Sequence, residues 1–143
     1  MGSDQTNLLA EYKAHLVAWN KTHNLISKKQ AQKIDDHIAD SLIISPLLKK
    51  TIVDLGSGGG LPGIPLAITN PNKEICLIES NTKKSSFLLH TTSRLGLENT
   101  SVINQRIEKT ETKIFPESFD IVCRAVGSTE LVISLTAPLL QKT

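Results

Sequence analysis

An α/β fold with a Rossmann-like sheet, mostly parallel and carrying helices on both faces, is predicted by three observations in this sequence. From Thr51 onward, short apolar runs alternate with amphipathic stretches, four of each in turn. One of the runs, Glu74–Glu79 (E-I-C-L-I-E), is too apolar to face water on either side, and buried parallel strands read this way. Thr51–Ile68 (T-I-V-D-L-G-S-G-G-G-L-P-G-I-P-L-A-I) sets a glycine-dense turn between the first strand and its helix. Open parallel sheets place ligands at such strand ends. Residues 1–48 read as a helical cap and 49–143 as the ligand-binding core, together one compact domain.

The elements follow in order. Leu8, Leu9, Tyr12, Leu16 and Trp19 recur at helical spacing, which predicts a helix from residue 4 to about 23. Ser27-Lys28-Lys29-Gln30 has the capping-box form and opens a second helix carrying Ile34, Ile38 and Leu42, with Pro46 near its end. Ile52, Val53 and Leu55 make the first strand, and Pro62 and Pro65 suit the first turn of the helix after the glycines. Glu74–Glu79 is the second strand. Asn81 or Thr82 caps a helix through Phe87, Leu88, Thr91 and Leu95, which Gly96 ends. Residues 100–104 form a third strand, 107–113 a short polar helical turn and 119–123 a fourth strand. Ser128 then caps a helix running toward Pro138.

Composition narrows the function classes. A chain of 143 residues is one domain by length. Aromatics at 3% argue against a base-stacking platform, and a net charge of +2 is too small to imply nucleic acid by itself. Cys76 and Cys123 lie far apart inside apolar runs and read as buried free thiols of a reducing cytoplasm. Charges at Asp4, Glu11 and Lys13 interrupt any signal-peptide core. The longest charge-free stretch, Leu55–Asn72, is too broken by glycine and proline for a membrane helix. His15, His23, His37 and His90 show no metal spacing, so no metal is expected. His37 reads as a packed or capping residue.

The glycine turn admits two registers. Gly58-Gly59-Gly60-Leu61-Pro62-Gly63 satisfies the dinucleotide pattern G-x-G-x-x-G. The other register, Asp54-x-Gly56-x-Gly58-x-Gly60, places a carboxylate two residues before the glycines and looks like the first motif of class I S-adenosylmethionine-dependent methyltransferases. A pyrophosphate has no use for that carboxylate, whereas the amino group and sulfonium of S-adenosylmethionine are cationic and favour it. Asp54 also suits a turn or helix cap. Glu79, ending the second strand, can accept both hydrogen bonds of a ribose diol or stand as a solvated charge.

The chain as a whole resembles the RsmG (GidB) family of ribosomal RNA methyltransferases. The resemblance rests on V-D-L-G-S-G-G-G-L-P-G-I-P-L-A-I and on Trp19-Asn20-Lys21, Asn24-Leu25 and His37-Ile38-Ala39-Asp40-Ser41-Leu42. Further on it includes Arg94-Leu95-Gly96-Leu97, Gln105-Arg106-Ile107-Glu108, and Phe119-Asp120 leading to Arg124-Ala125. It implies methyl transfer from S-adenosylmethionine to N7 of guanine 527 in 16S rRNA of the 30S subunit, by a monomer. It places cofactor contacts at Gly56, Leu61 and Arg124, with the adenine near Ile107 and Glu108; the reading of the turn and strand ends adds Asp54, Ser57, Gly58 and Glu79 to the cofactor contacts. Arg124 takes a positioning role at the transfer mouth. RNA phosphates would fall to the exposed pairs Lys28, Lys29 and Lys83, Lys84; Lys49-Lys50 is a third pair. Guanine N7 carries a lone pair and no proton, so the chemistry needs no general base or covalent nucleophile, only in-line placement.

Two departures accompany the resemblance. Asn24-Leu25-Ile26 stands where the family usually has Asn-Leu-Thr, which removes a polar contact. Relatives run about another third of this length, adding a fifth strand and a hairpin. The expectation is a sheet incomplete at its carboxyl-terminal side with the fourth strand as its edge. That sets a binding reading, holding S-adenosylmethionine or ribosomal RNA without turnover, beside the enzyme reading. A nicotinamide-dependent oxidoreductase is the remote alternative.

Overall fold

The structure, a computed structural model, describes residues 2–110, 115, 116 and 118–123. Helix α1 (Ser3–His23) buries Leu9, Tyr12 and Leu16 along one face. It stops at Asn24, whose φ of 50° is left-handed, a conformation asparagine tolerates better than most residues. The second helix expected from the sequence is two. The capping box forms as read, with Ser27 Oγ accepting from the Gln30 N–H and Gln30 Oε1 accepting from the Ser27 N–H, and it opens α2 (Lys28–Ala31). Lys33 then leaves helical geometry (φ −121°, ψ 25°) and its N–H donates to the Gln30 carbonyl. The chain restarts as α3 (Ile34–Ile44). No apolar residue on Lys28–Gln30 ties α2 to the core, whereas the break lets Ile34 bury.

Strands β1 (Thr51–Leu55), β2 (Glu74–Ile78), β3 (Thr100–Ile103) and β4 (Asp120–Cys123) form one parallel sheet in the order β3-β2-β1-β4. The chain leaves β1 toward β2 on one side and returns to pair β4 on the other. The carboxyl end of β1 is therefore a switch point of the kind that opens a crevice for ligands. Helices α4 (Gly63–Thr69) and α5 (Thr82–Arg94) follow β1 and β2. Asn81 caps α5 by accepting from the Lys84 N–H, and Gly96 (φ 66°) closes its far end, both as read from the sequence.

Strand residues alternate between two apolar clusters. Ile52, Ile75 and Leu77 pack with residues of α1, α3, α4 and α5. Val53, Leu55, Cys76 and Ile78 face the other way and meet Phe115 and Phe119. The described helices thus share one face of the sheet. The helix expected after Ser128 lies outside the described residues. Cap and core bury a common cluster, because Tyr12, Leu16 and Leu25 meet Leu61, Ile64 and Phe87. At the amino end of the sheet, Asn99 Nδ2 donates to the carbonyls of Ala67, Asn70 and Lys73, and Lys73 Nζ donates to those of Ser45 and Leu48. These bonds tie three loops together away from the glycine turn.

One cysteine departs from expectation. Cys76 is buried, but Cys123 is exposed, because it ends β4, which among the described residues is an edge strand. Burial, with a smaller push from the Asp54 charge, holds both thiols above their ordinary value, and at Cys76 the Ser101 side chain opposes the rise. A thiol reagent should therefore modify one cysteine per native chain, and Cys123→Ser should abolish that reaction. Two fast equivalents would contradict the burial of Cys76. Cys76 binds its proton more tightly folded than unfolded. Its contribution to stability is therefore intact below pH ~9 and is lost as pH rises further.

Candidate functional site

The glycine turn is held by two carboxylates at the carboxyl ends of adjacent strands. The amides of Gly56 and Ser57 donate to the Ile78 carbonyl, extending the β1–β2 pairing by one step. Gly58 turns left-handed (φ 55°), and its N–H donates to Glu79 Oε1 at 2.9 Å. The other oxygen of Glu79 accepts from the Asn81 N–H at 2.8 Å. Glu79 therefore ties the turn to the start of α5. Asp54 is wholly buried and accepts the Gly63 N–H at 2.9 Å, capping the first turn of α4. A Cβ on Gly63 would collide with Leu77 and lie 2.5 Å from Asp54 Oδ2, so only glycine lets α4 approach the sheet this closely. The peptide bond between Leu61 and Pro62 is cis.

The cap supplies the opposite wall. Asn20 Oδ1 accepts from the Ile26 N–H, which fixes the loop after α1. Leu25, Ile26 and Gln30 line a cleft of about 110 Å³ together with Gly56, Ser57, Gly58, Gly59, Leu61 and Lys84. The Ile26 side chain lies over Gly59, where a Cβ would sit 2.9 Å from Ile26 Cγ2 and 2.9 Å from Leu16 Cδ1. Tyr12, from the middle of α1, donates its hydroxyl to the Gly59 carbonyl at 2.6 Å. Between the turn's bonded amides, the peptide joining Gly58 to Gly59 makes no hydrogen bond among the described residues. Ligand clefts usually enclose roughly 300–1,000 Å³, more than this cleft alone encloses. A larger groove of about 690 Å³ runs past Thr51, Glu74 and Thr100 at the amino ends of the strands. Parallel sheets bind ligands at the opposite end, and size alone does not make that groove the site.

Of the residues singled out in the sequence, Gly56, Ser57, Gly58 and Leu61 come together in the cleft. Asp54 lies buried beneath the turn, where its Oδ2 caps α4, the turn or helix cap that its place before the glycines also suits. Glu79 is 6% exposed and braces Gly58 from behind, with one lone pair of each oxygen still uncommitted to those two amides. Ile107 and Glu108 sit in a 3₁₀ turn after β3, at the same end of the sheet, with Ile107 half-buried and Glu108 exposed. Arg124 lies outside the described residues. Lys84 lines the cleft, Lys83 is its exposed neighbour, and Lys28 and Lys29 precede Gln30 at the mouth. Lys49 and Lys50 precede β1 at the far end of the sheet.

Sequence reasoning read Tyr12 only as part of an apolar stripe and Gln30 only as part of a capping box, and it did not place either at the turn. A tyrosine on a buried leucine stripe was the available signal, since its hydroxyl needs a partner when the ring is buried. His15, His23 and His90 come together in space: Trp19 meets His23 and His90 with ring centroids 5.1 and 5.3 Å apart, and His90 meets His15 at 5.7 Å. Among the described residues no group of three ligating side chains could hold a metal, and no helix is long and apolar enough to cross a membrane.

The family model described as GidB, rRNA small subunit methyltransferase G, matches residues 5–143. This chain belongs to that family. Similar proteins named ribosomal RNA small subunit methyltransferase G occur in Hydrogenovibrio crunogenus (38% identical, covering 93% of this chain and 62% of the relative) and Sorangium cellulosum (40%, 93% and 59%). A third, in Nitrosomonas europaea, is 42% identical over 90% of this chain and 60% of its own length. The chain thus spans about 60% of the length of these curated relatives. Its fold is similar to that of a precorrin-6y C5,15-methyltransferase from Geobacter metallireducens, with a TM-score of 0.61 and 16% identity over 85% of this chain and 60% of the other. That likeness supports the Rossmann-like methyltransferase fold read from the sequence.

Proposed function

We propose that the glycine turn binds S-adenosylmethionine and that the chain belongs to an enzyme methylating N7 of a guanine in 16S rRNA of the small ribosomal subunit. The observation that carries this reading is the turn itself. Its Gly58–Gly59 peptide makes no hydrogen bond among the described residues, and it lies in a cleft at the carboxyl end of β1 between two carboxylate-braced segments. The residues fit the cofactor at that end: a peptide dipole for its polar groups, and Glu79 lone pairs beside the turn for a ribose diol. Ile107 and Glu108 stand at the same sheet end for the adenine, as the family resemblance implies. When bound, the cofactor supplies an electrophilic methyl group. The chain's task is then to orient the acceptor nitrogen and exclude water, because N7 has no proton to remove. Lys28, Lys29, Lys83 and Lys84 would hold RNA phosphates around the mouth, and Arg124 would act at the transfer position. Cap (1–48) and core (49–143) act as one unit, monomeric and cytoplasmic.

Equilibrium binding should favour S-adenosylmethionine over NAD, and labelled methyl should appear on a guanine N7 of 30S subunits. Preference for NAD would overturn the cofactor assignment. Cofactor binding without methylated product would overturn the enzyme reading and leave a binding function. With few lysines at the mouth, binding to the subunit should weaken only modestly with salt, and a steep slope would contradict that count of contacts.

A further inference from the structure

We infer that Tyr12 is a positioning residue for the cofactor turn, aiming the Gly58–Gly59 peptide, which makes no hydrogen bond among the described residues, from the helical cap. The inference rests on the cofactor reading above and follows from which peptide planes are pinned. In the Ser57–Gly58 peptide, the carbonyl accepts the Gly60 N–H at 2.7 Å and the amide donates to Glu79. In the Gly59–Gly60 peptide, the amide makes that same bond to Ser57 and the carbonyl accepts the Tyr12 hydroxyl. Two planes are thus fixed at both ends, and the plane between them is flanked by two glycines. A peptide between glycines rotates at little steric cost, so its direction depends on its neighbours. Glu79 and Ser57 hold one neighbour from within the core. Tyr12 holds the other, 47 residues away in sequence and fully buried. Without the phenol, the Gly59 carbonyl is buried with no donor, and the turn gains a reason to reorient. Tyr12 thereby makes cofactor affinity depend on how the cap sits against the core.

The test uses Tyr12→Phe, which keeps the ring and removes only the hydroxyl. Binding of S-adenosylhomocysteine is measured by calorimetry well below the melting temperature, with Leu9→Ala as a comparison. Leu9 is buried one turn earlier on α1 and lies outside the cleft lining. Tyr12→Phe should weaken binding by roughly five- to thirtyfold. It should also speed amide exchange at Gly58–Gly60 in the free protein. Leu9→Ala should lower the melting temperature while leaving affinity within about twofold, since a purely packing role moves stability and not affinity well below the transition. If the unchanged chain binds and Tyr12→Phe binds equally well, the assignment of Tyr12 is overturned while the cofactor reading stands. If the unchanged chain binds neither S-adenosylmethionine nor its product, the cofactor reading fails and this inference with it. If both variants lose affinity alike, Tyr12 acts through α1 packing and not through the peptide.

Discussion

Asp54→Ala should destabilise the fold by about 2–3 kcal/mol and weaken cofactor binding, whereas Asp54→Asn should retain most of both. The reason is the place of the carboxylate. Asp54 is fully buried on the helix side of β1, and its Oδ2 receives the first amide of α4. Alanine leaves the Gly63 N–H buried without an acceptor, and lost charge-assisted bonds of this kind cost about 1.5–3 kcal/mol. Asparagine keeps an oxygen of nearly the same shape and can still accept from Gly63. The same pair of variants separates two roles for the residue. A carboxylate acting by its charge on a ligand cation would lose as much affinity on going to asparagine as on going to alanine. A carboxylate acting as a cap loses affinity only when the cap goes. Urea unfolding with an unchanged slope gives the stability change, and calorimetric titration gives the affinity. Equal loss of affinity in both variants, with asparagine as stable as the unchanged protein, would favour the charge role.

The sequence made some of this arrangement legible and concealed the rest. The central strands β1 and β2 were readable because each is buried on both sides and bounded by polar or glycine-containing turns. The turn was readable because its glycines recur where a positive φ or a close approach demands them. The helix caps at Ser27 and Asn81 were readable because they are local: donor and acceptor lie three residues apart. What stayed hidden was direction. Asp54 was identified as important, but whether it points up at a ligand or across at α4 depends on strand alternation and on Gly63 letting the helix come close. Tyr12 looked like one more apolar member of a helical stripe, because its partner is a carbonyl in a distant loop. The histidines around Trp19 illustrate the same limit: α1 and α5 bring together residues with no spacing signal. The break at Lys33 was hidden because α3 alone satisfies the apolar periodicity.

Glu79→Ala is the second large effect expected, and it tests ligand contact apart from scaffold. Glu79 links three elements: it ends β2, accepts the Gly58 amide of the turn, and accepts the Asn81 amide at the start of α5. Removing it deprives two amides of a charged acceptor and should cost about 2–3 kcal/mol. Cofactor affinity should fall by roughly ten- to a hundredfold, because Gly58 is no longer held and two lone pairs beside the turn are gone. Glu79→Gln retains one acceptor oxygen and should fall between. The bracing and ligand-contact parts separate in a cycle that pairs Glu79→Ala with S-adenosylhomocysteine lacking its ribose 2′-hydroxyl. If the carboxylate accepts from the diol, deleting the hydroxyl weakens binding to the unchanged chain but has little further effect in the variant, giving a clear coupling energy. If Glu79 only braces the turn, the two losses add. The geometry favours coupling, since each oxygen spends one lone pair on a backbone amide at 2.8–2.9 Å and keeps another. A carboxylate held by two amides is already oriented before a ligand arrives, so a diol meeting it has little ordering of that side chain left to offset.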